Sequence, residues 1–297
     1  MKLSIAVITM NRSEQVVEAI DSCLLCNLPR DTEFVVIDNA STDDTEQRVK
    51  EKLDNCGYSY YYEKLPENIG AGAGRCYAYK KTSGQYVYGF DDDAVISDKD
   101  PDFFVKAIEI FEKDETIVTL ATQVYDTAWE KNRQERTKVK VAEGIYLCSM
   151  FCGGSHFLRK DFFPEPPYFR NIYGYEELPP CLMAFDAGKK SVYCEDLLAI
   201  HKPKVYKWNY DDKNNAILVR GLATLYVIRS KIYPRIFKPL LYTFYKLRRL
   251  KLTRGVKNAR AIAKEVVAQT KIQASYLKRI KVKTVLKIFK YFGLSVF

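Results

Sequence analysis

Three consecutive acids, Asp91-Asp92-Asp93, follow Gln85–Phe90, a short run with the make-up of a buried strand. Side chains alternate along extended chain, so Asp91 and Asp93 can point the same way while Asp92 points elsewhere. Carboxylates crowded at a strand end repel one another. A hard cation such as Mg²⁺ or Mn²⁺ would keep them ionised and leave coordination positions open for phosphate oxygens. The competing reading is a solvated acidic turn ahead of the helix expected from Pro101. Asp38 also ends an apolar run. It opens Asp38-Asn-Ala-Ser-Thr-Asp43, whose side chains suit either the reading of a base and ribose edge or an ordinary Asx turn.

These residues need strands and helices to position them, and the hydrophobic pattern supplies both. Leu3–Thr9 reads as a strand buried on both faces. A helix follows, with Ser13 as its N-cap and Val16, Ala19, Ile20, Cys23 and Leu24 on one side. Glu33–Asp38 is a second strand, and Ser41-Thr-Asp-Asp44 has the form of a capping box opening a helix through Thr45, Val49 and Leu53. Tyr58–Tyr62 gives a third strand. The Gly-rich turn Asn68-Ile-Gly-Ala-Gly-Ala-Gly74 leads into a helix over Arg75–Lys81. Further strands are expected at Ile117–Thr122, Ile145–Phe151 and Val192–Ile200, with a helix at Pro101–Glu112. Repeated strand-helix units predict an α/β fold with a mainly parallel sheet, whose ligands gather in the crevice at the carboxyl ends of the strands.

A composition of 47% hydrophobic and 28% charged residues, without repeats or low-complexity tracts, argues against a disordered chain or a solenoid. The charge is unevenly spread. Residues 202–297 hold 24 Lys and Arg against three acids, a net of +21, which leaves −11 for residues 1–201. An acidic half suited to a cation thus precedes a basic half suited to an anionic surface, with the boundary near Lys202–Tyr210. The opening Met-Lys-Leu-Ser-Ile-Ala lacks a signal cleavage site, and Ala216–Ile228, interrupted by Arg220, falls short of the ~20 apolar residues of a membrane span. Of eight cysteines only Cys23-x-x-Cys26 has ligand-like spacing, with no second pair to complete a zinc site. Half-buried reduced thiols, and with them a cytoplasmic compartment, are the expectation.

Taken in order, Thr9-x-Asn11-Arg12, Val36-Ile-Asp38-Asn-Ala-Ser-Thr-Asp43, the Gly70-containing turn and Phe90-Asp-Asp-Asp-Ala94 resemble glycosyltransferase family 2, and within it the rhamnosyltransferase-like inverting enzymes. The resemblance spans about residues 1–205. It implies a GT-A fold, Rossmann-like, that takes a nucleotide-diphosphate sugar on residues 1–100 and an acceptor on residues 101–205. Residues 206–297 are then a basic, aromatic-rich helical region. By the same resemblance Thr9, Asn11, Arg12, Asp38, Asn39 and Gly70 surround the donor nucleotide, and Asp91 and Asp92 lie near its ribose and diphosphate. Arg75 would counter diphosphate charge. Asp93 and His201 would ligate Mn²⁺ or Mg²⁺.

The family's acidic pair is matched by Tyr173-Gly-Tyr-Glu176-Glu177, after the glycines of Cys152-Gly-Gly-Ser155. A sugar hydroxyl is a weak nucleophile near neutral pH, so a carboxylate within ~3 Å must take its proton as it attacks. Glu177 is assigned that role and Glu176 a supporting one. The chain departs from the family at Leu178-Pro179-Pro180, where another acid is common, which leaves the choice between the two glutamates open. His156 is expected in the core.

In the basic region a helical Leu277–Phe292 would put Leu277, Val285, Ile288, Phe289 and Phe292 on one side, opposite Arg279, Lys283, Lys287 and Lys290. That pattern fits a helix at the inner surface of the cell membrane beside anionic headgroups, or a helix packed on the catalytic half. The aromatics Tyr206, Trp208 and Tyr210 interleave with the basic residues at its start. No nucleic-acid recognition motif is present. The acceptor implied is a glycan or lipid-linked glycan, as in cell-surface polysaccharide synthesis. Two other classes compete: a nucleotide-sugar-binding scaffold without turnover, and a sugar-1-phosphate nucleotidyltransferase, which would require a Gly-rich loop after the first strand where Thr9-Met-Asn-Arg12 has none.

Overall fold

A computed structural model describes the chain except residues 135–136, 172–173, 204–209 and 255, and except the side chains of residues 210–215. Tyr173, Tyr206, Trp208, the side chain of Tyr210 and most of the expected boundary between the halves lie outside the described residues. In chain order the elements are β1 (Leu3–Thr9), α1 (Ser13–Leu24), β2 (Thr32–Asp38), α2 (Thr45–Asp54), β3 (Ser59–Lys64), α3 (Ala71–Lys81), β4 (Tyr86–Asp91), β5 (Ala94–Ile96), α4 (Phe103–Lys113) and β6 (Ile117–Asp126). There follow β7 (Lys131–Asn132), β8 (Lys140–Ala142), β9 (Ile145–Leu147), β10 (Ser155–Arg159), α5 (Leu178–Asp186) and β11 (Lys190–His201). Four helices close the chain: α6 (Tyr210–Ile232), α7 (Lys238–Leu252), α8 (Ala259–Gln273) and α9 (Val282–Phe292).

The strands form one mixed sheet in the order β3-β2-β1-β4-β10-β6-β11-β9-β8, with β5 on β11 and β7 on β6. β1 to β4 are parallel, β10 runs antiparallel between β4 and β6, and β6 and β11 are parallel again. Both faces are covered. Leu3, Ile5 and Val7 of β1 with Phe34 and Val36 of β2 enter one apolar cluster, while Ala6, Val35 and Ile37 enter the other. Helices on both sides bury all but Ile8 of β1 and Glu33 of β2, which is why these strands read as nearly continuous apolar runs.

Several elements start or stop away from their expected positions, each for a tertiary reason. α3 begins at Ala71, so the glycines form its first turn instead of a loop: Gly70 has φ +84°, and a Cβ on Gly72 would lie 2.2 Å from the Phe169 carbonyl oxygen. These glycines permit a turn and a close approach. β6 runs four residues past the expected Thr122, because β11 pairs with it as far as His201 beside Asp126. The last strand before the glycines stops at Leu147. Ser13 makes no side-chain cap on α1, and the expected capping box of α2 is not formed: its N-cap is Asp44, without a side-chain cap, while the preceding Asp43 accepts from the Thr45 amide at 3.2 Å. α5 starts at Leu178, with Pro179 and Pro180 in the first turn, where no intrahelical N–H is needed.

The C-terminal helices join the same core as the sheet. Val227, Ile228, Ile232 and Tyr233 of α6 and its end belong to the cluster that holds Leu178 and Phe185. α9 docks on α5: the Phe185 and Phe292 rings lie 5.8 Å apart, and Asp186 accepts hydrogen bonds from the Lys281 amide at 2.7 Å and the Thr284 hydroxyl at 2.6 Å. Of the two expectations for this segment, packing on the catalytic half is the one met by Val285 and Ile288, which are fully buried, while Leu277 precedes the helix. Among the described residues no helix is long and apolar enough to cross a membrane.

Candidate active site

The carboxyl ends of β4, β6 and β11 converge. One ligand atom each from Asp91, Asp93 and His201 lies within 4.8 Å of the others. His201 Nε2 stands 3.2 Å from Asp93 Oδ1, and its Nδ1 donates to Asp126 Oδ2 at 3.1 Å. Asp126 is itself fixed, accepting from Arg133 Nε at 2.7 Å and from the amides of Ala128 and Trp129. Burial pushes the Asp126 carboxyl up, but the charge and hydrogen bond of Arg133 and the Trp129 amide together outweigh it and the net shift is downward. An ionised carboxylate behind Nδ1 aims Nε2 into the acidic cluster, as in carboxylate–histidine–metal arrangements. Two oxygen donors and an imidazole nitrogen suit Mn²⁺ or Mg²⁺, so the residues present fit a divalent ion.

β4 ends at Asp91 and Asp92-Asp93 form a turn, so the alternation expected of extended chain does not hold across the three acids. Asp92 faces Arg12, whose Nη1 donates to Asp92 Oδ1 at 2.6 Å and to Asp93 Oδ2 at 2.8 Å. Burial raises Asp92 to about 6 against the pull of Arg12. Asp93 goes the other way: burial opposes ionisation, but the His201 hydrogen bond and Arg12 hold it low. For His201, burial is outweighed by Asp93 and the imidazole is raised. Thr9 is buried beside Asp92.

The remaining donor-side residues knit three loops together. Asp38 is fully buried, with Oδ1 accepting from the Ser41 amide at 2.7 Å and Oδ2 from the Tyr62 hydroxyl at 2.7 Å. Asn39 donates to Asn68 Oδ1 at 2.8 Å and accepts from the Ile69 amide at 2.9 Å. Asn11, at φ +52°, accepts from the Thr42 amide at 2.7 Å. These side chains shape the rim by binding to one another, with the Asp38 carboxylate closing its own loop onto the amide three residues on.

Arg75 is buried and does not stand free for a diphosphate. Its Nη2 pairs with Asp91, and its Nε lies 3.7 Å from Glu176 Oε1. It thereby ties the acidic cluster to the glutamate pair. The pair sits against the glycines of residues 153–154: a Cβ on Gly153 would fall 1.6 Å from Glu177 Oε1, and one on Gly154 2.8 Å from Asp91 Oδ2. Burial, then repulsion from Glu176, push Glu177 well above the usual carboxylate range, with Arg75 opposing. Glu176 is raised by burial and restrained by Arg75. His156 lies in the core as expected, accepting from Tyr168 at Nε2 (2.7 Å) and donating from Nδ1 to the Gly153 carbonyl at 3.0 Å; burial depresses it to about 3.

Residues 4–166 match the model of the family described as Glycosyl transferase family 2. The chain belongs to that family. No curated protein matches it by sequence. Among solved structures, residues 1–349 of TarS from S. aureus, in complex with UDP-GlcNAc, superpose with a TM-score of 0.63 at 17% identity, covering 92% of this chain and 81% of that one. The mannosyltransferase PcManGT from Pyrobaculum calidifontis, in complex with GDP-Man and Mn²⁺, gives 0.62 at 18% identity, covering 100% and 81%. At such identities the likeness is one of fold, and the sheet with its flanking helices is that of a GT-A protein.

Of the residues singled out in the sequence of this family 2 chain, Asp91, Asp93 and His201 meet directly, and Glu176 joins them through Arg75. Asp91 sits with the metal-type donors, where the sequence reading had it beside the nucleotide. Asp126 and Arg133 went unnoticed. The only signal was an acid at the end of a strand, and that strand had been ended four residues early.

Proposed function

We propose that this chain moves a sugar from a nucleotide-diphosphate donor to a hydroxyl of a glycan or lipid-linked glycan, inverting the anomeric centre, with Glu177 as general base. The single observation that supports this reading is the Arg75 joint, which holds an ion-binding cluster and a buried glutamate pair on adjacent sides of Gly153 and Gly154. A divalent ion held by Asp91, Asp93 and His201 would supply charge neutralisation for the departing diphosphate.

The rest falls to the chain's own side chains. Glu176, facing Arg75, is the better-compensated carboxylate and keeps the pair oriented. Glu177 feels the Arg75 charge without pairing closely with it and is the stronger base, with a proton affinity moved upward as general-base catalysis requires. The knitted loops carrying Thr9, Asn11, Arg12, Asp38, Asn39 and Gly70 form the nucleotide rim. Pro179 and Pro180 occupy the first turn of α5, so the helix that follows Glu177 is regular.

The test is a panel of UDP-, GDP- and dTDP-sugars, dTDP-rhamnose among them, incubated with Mn²⁺ and glycan acceptors. Release of nucleoside diphosphate with product of inverted anomeric configuration by NMR is expected. Tight nucleotide binding with no transfer to any acceptor would favour the scaffold reading.

A further inference from the structure

With one side of α9 packed on α5, the other side is left open. Val282, Leu286 and Phe289 succeed one another at helical spacing on it and are 45%, 55% and 40% exposed. α7 carries a second stripe: Leu240, Leu247 and Leu250 are 38%, 58% and 56% exposed, with Ile236 at 74% just before the helix. The two helices meet at Phe297, whose ring lies 6.2 Å from Phe244 of α7 and 5.7 Å from Phe289 of α9. Large aliphatic side chains in such number at one junction are unusual on a protein that ends in water. Their flanks are basic and exposed: Lys246 and Lys251 on α7, Lys283, Lys287 and Lys290 on α9.

We infer that the α7–α9 junction is a docking surface for an anionic lipid bilayer, with the aliphatic stripes entering the headgroup–acyl boundary and the lysines meeting the phosphates. Charge selects this occupant. Residues 235–297 contain 17 Lys and Arg and a single acid, Glu265. A second copy of the chain meeting this surface with its own α7–α9 junction would bring the same uncompensated positive charge to the contact and be repelled. A nucleic acid would satisfy the lysines but offer nothing to exposed Leu, Ile and Val. A negatively charged membrane interface satisfies both. The surface also lies on the acceptor side of the catalytic half. α9 packs at the carboxyl end of α5, and Glu177 stands at that helix's other end, about 14 Å away at 1.5 Å per residue.

The test is co-sedimentation of the full chain with phosphatidylcholine vesicles and with vesicles containing one-third phosphatidylglycerol. It compares the wild type with the triple variant Leu247→Gln, Leu250→Gln, Leu286→Gln and with Lys283→Gln, Lys287→Gln. All these positions are exposed, and an unchanged melting temperature checks the fold. Wild type should bind the anionic vesicles roughly tenfold or more tightly than the neutral ones, declining with salt. Each variant should lose about tenfold in partitioning. Equal binding to both vesicle types, unaltered binding by the aliphatic variant, or a dimer in light scattering that this variant dissociates would each overturn the inference. Sugar transfer is not read, so the outcome is independent of the transferase reading.

Discussion

Asp126 Oδ2 accepts a hydrogen bond from His201 Nδ1 at 3.1 Å, while the other ring nitrogen of His201 lies 3.2 Å from Asp93. The two residues are partners in the parallel register of β6 and β11, so strand pairing itself sets the imidazole's orientation. Replacing Asp126 by Asn leaves the shape but removes the charge that fixes the tautomer. We expect Asp126→Asn to weaken Mn²⁺ binding about 10–100-fold, the range found for outer partners of metal-ligating histidines. Titration of the free Mn²⁺ EPR signal measures this without turnover. Wild-type affinity in the variant would remove Asp126 from the positioning role.

Glu177→Gln should lower kcat by about 10²–10⁴-fold while leaving donor affinity nearly unchanged, since the amide keeps the volume and loses the base. Single-turnover kinetics with a saturating donor, alongside nucleotide titration, separate the two effects. A variant retaining more than a tenth of wild-type turnover would transfer the role to Glu176.

The same substitution should stabilise the fold as the pH rises. A carboxyl whose folded pKa lies above its unfolded value of about 4.3 contributes stability below that value and loses it as the pH climbs through the folded pKa. Glu177 is raised by burial and by Glu176, so the ionised wild type is progressively destabilised toward neutral pH. Melting temperatures of Glu177→Gln and wild type should converge near about pH 4 and separate above it, with the variant higher. A constant difference across pH would show that the carboxyl titrates normally.

Gly153→Ala introduces a Cβ 1.6 Å from Glu177 Oε1. Either the carboxylate or the glycine loop must shift, and a misplacement of this order costs about 10²-fold in rate. Steady-state kinetics should show the fall in kcat with little change in the donor KM, because the donor-side loops are untouched.

Residues 1–205 expressed alone should fail to fold. The core cluster holding Leu178 and Phe185 also contains Val227, Ile228, Tyr233, Val285 and Ile288, and a Cβ on Gly221 of α6 would lie 3.4 Å from the Tyr175 ring. Tyr276 holds the loop that leads to Glu176, accepting from the Arg170 amide at 2.9 Å and donating to the Tyr168 carbonyl at 3.3 Å. Near-UV circular dichroism of the fragment should lack native signal. A cooperative melting transition in the fragment would instead show that the charge boundary is a folding boundary.

The sequence by itself determined the alternating α/β plan, because strands covered on both faces and helices covered on one leave unmistakable periodicities in Leu3–Thr9, Phe34–Ile37 and α1. It also determined the chemical types at the strand ends, since three adjacent carboxylates and a strand-end histidine have few other uses. Contacts between distant segments left no such trace. That Arg75 binds Asp91 and Glu176, that Asp126 stands behind His201, and that α9 spends one face on α5 while exposing another are consequences of register and packing. Hydrophobic patterning fixes which residues leave water but not which of the many available partners each one meets; that choice is made only when β10 inserts between β4 and β6 and Tyr276 of the C-terminal region bonds the Tyr168 carbonyl.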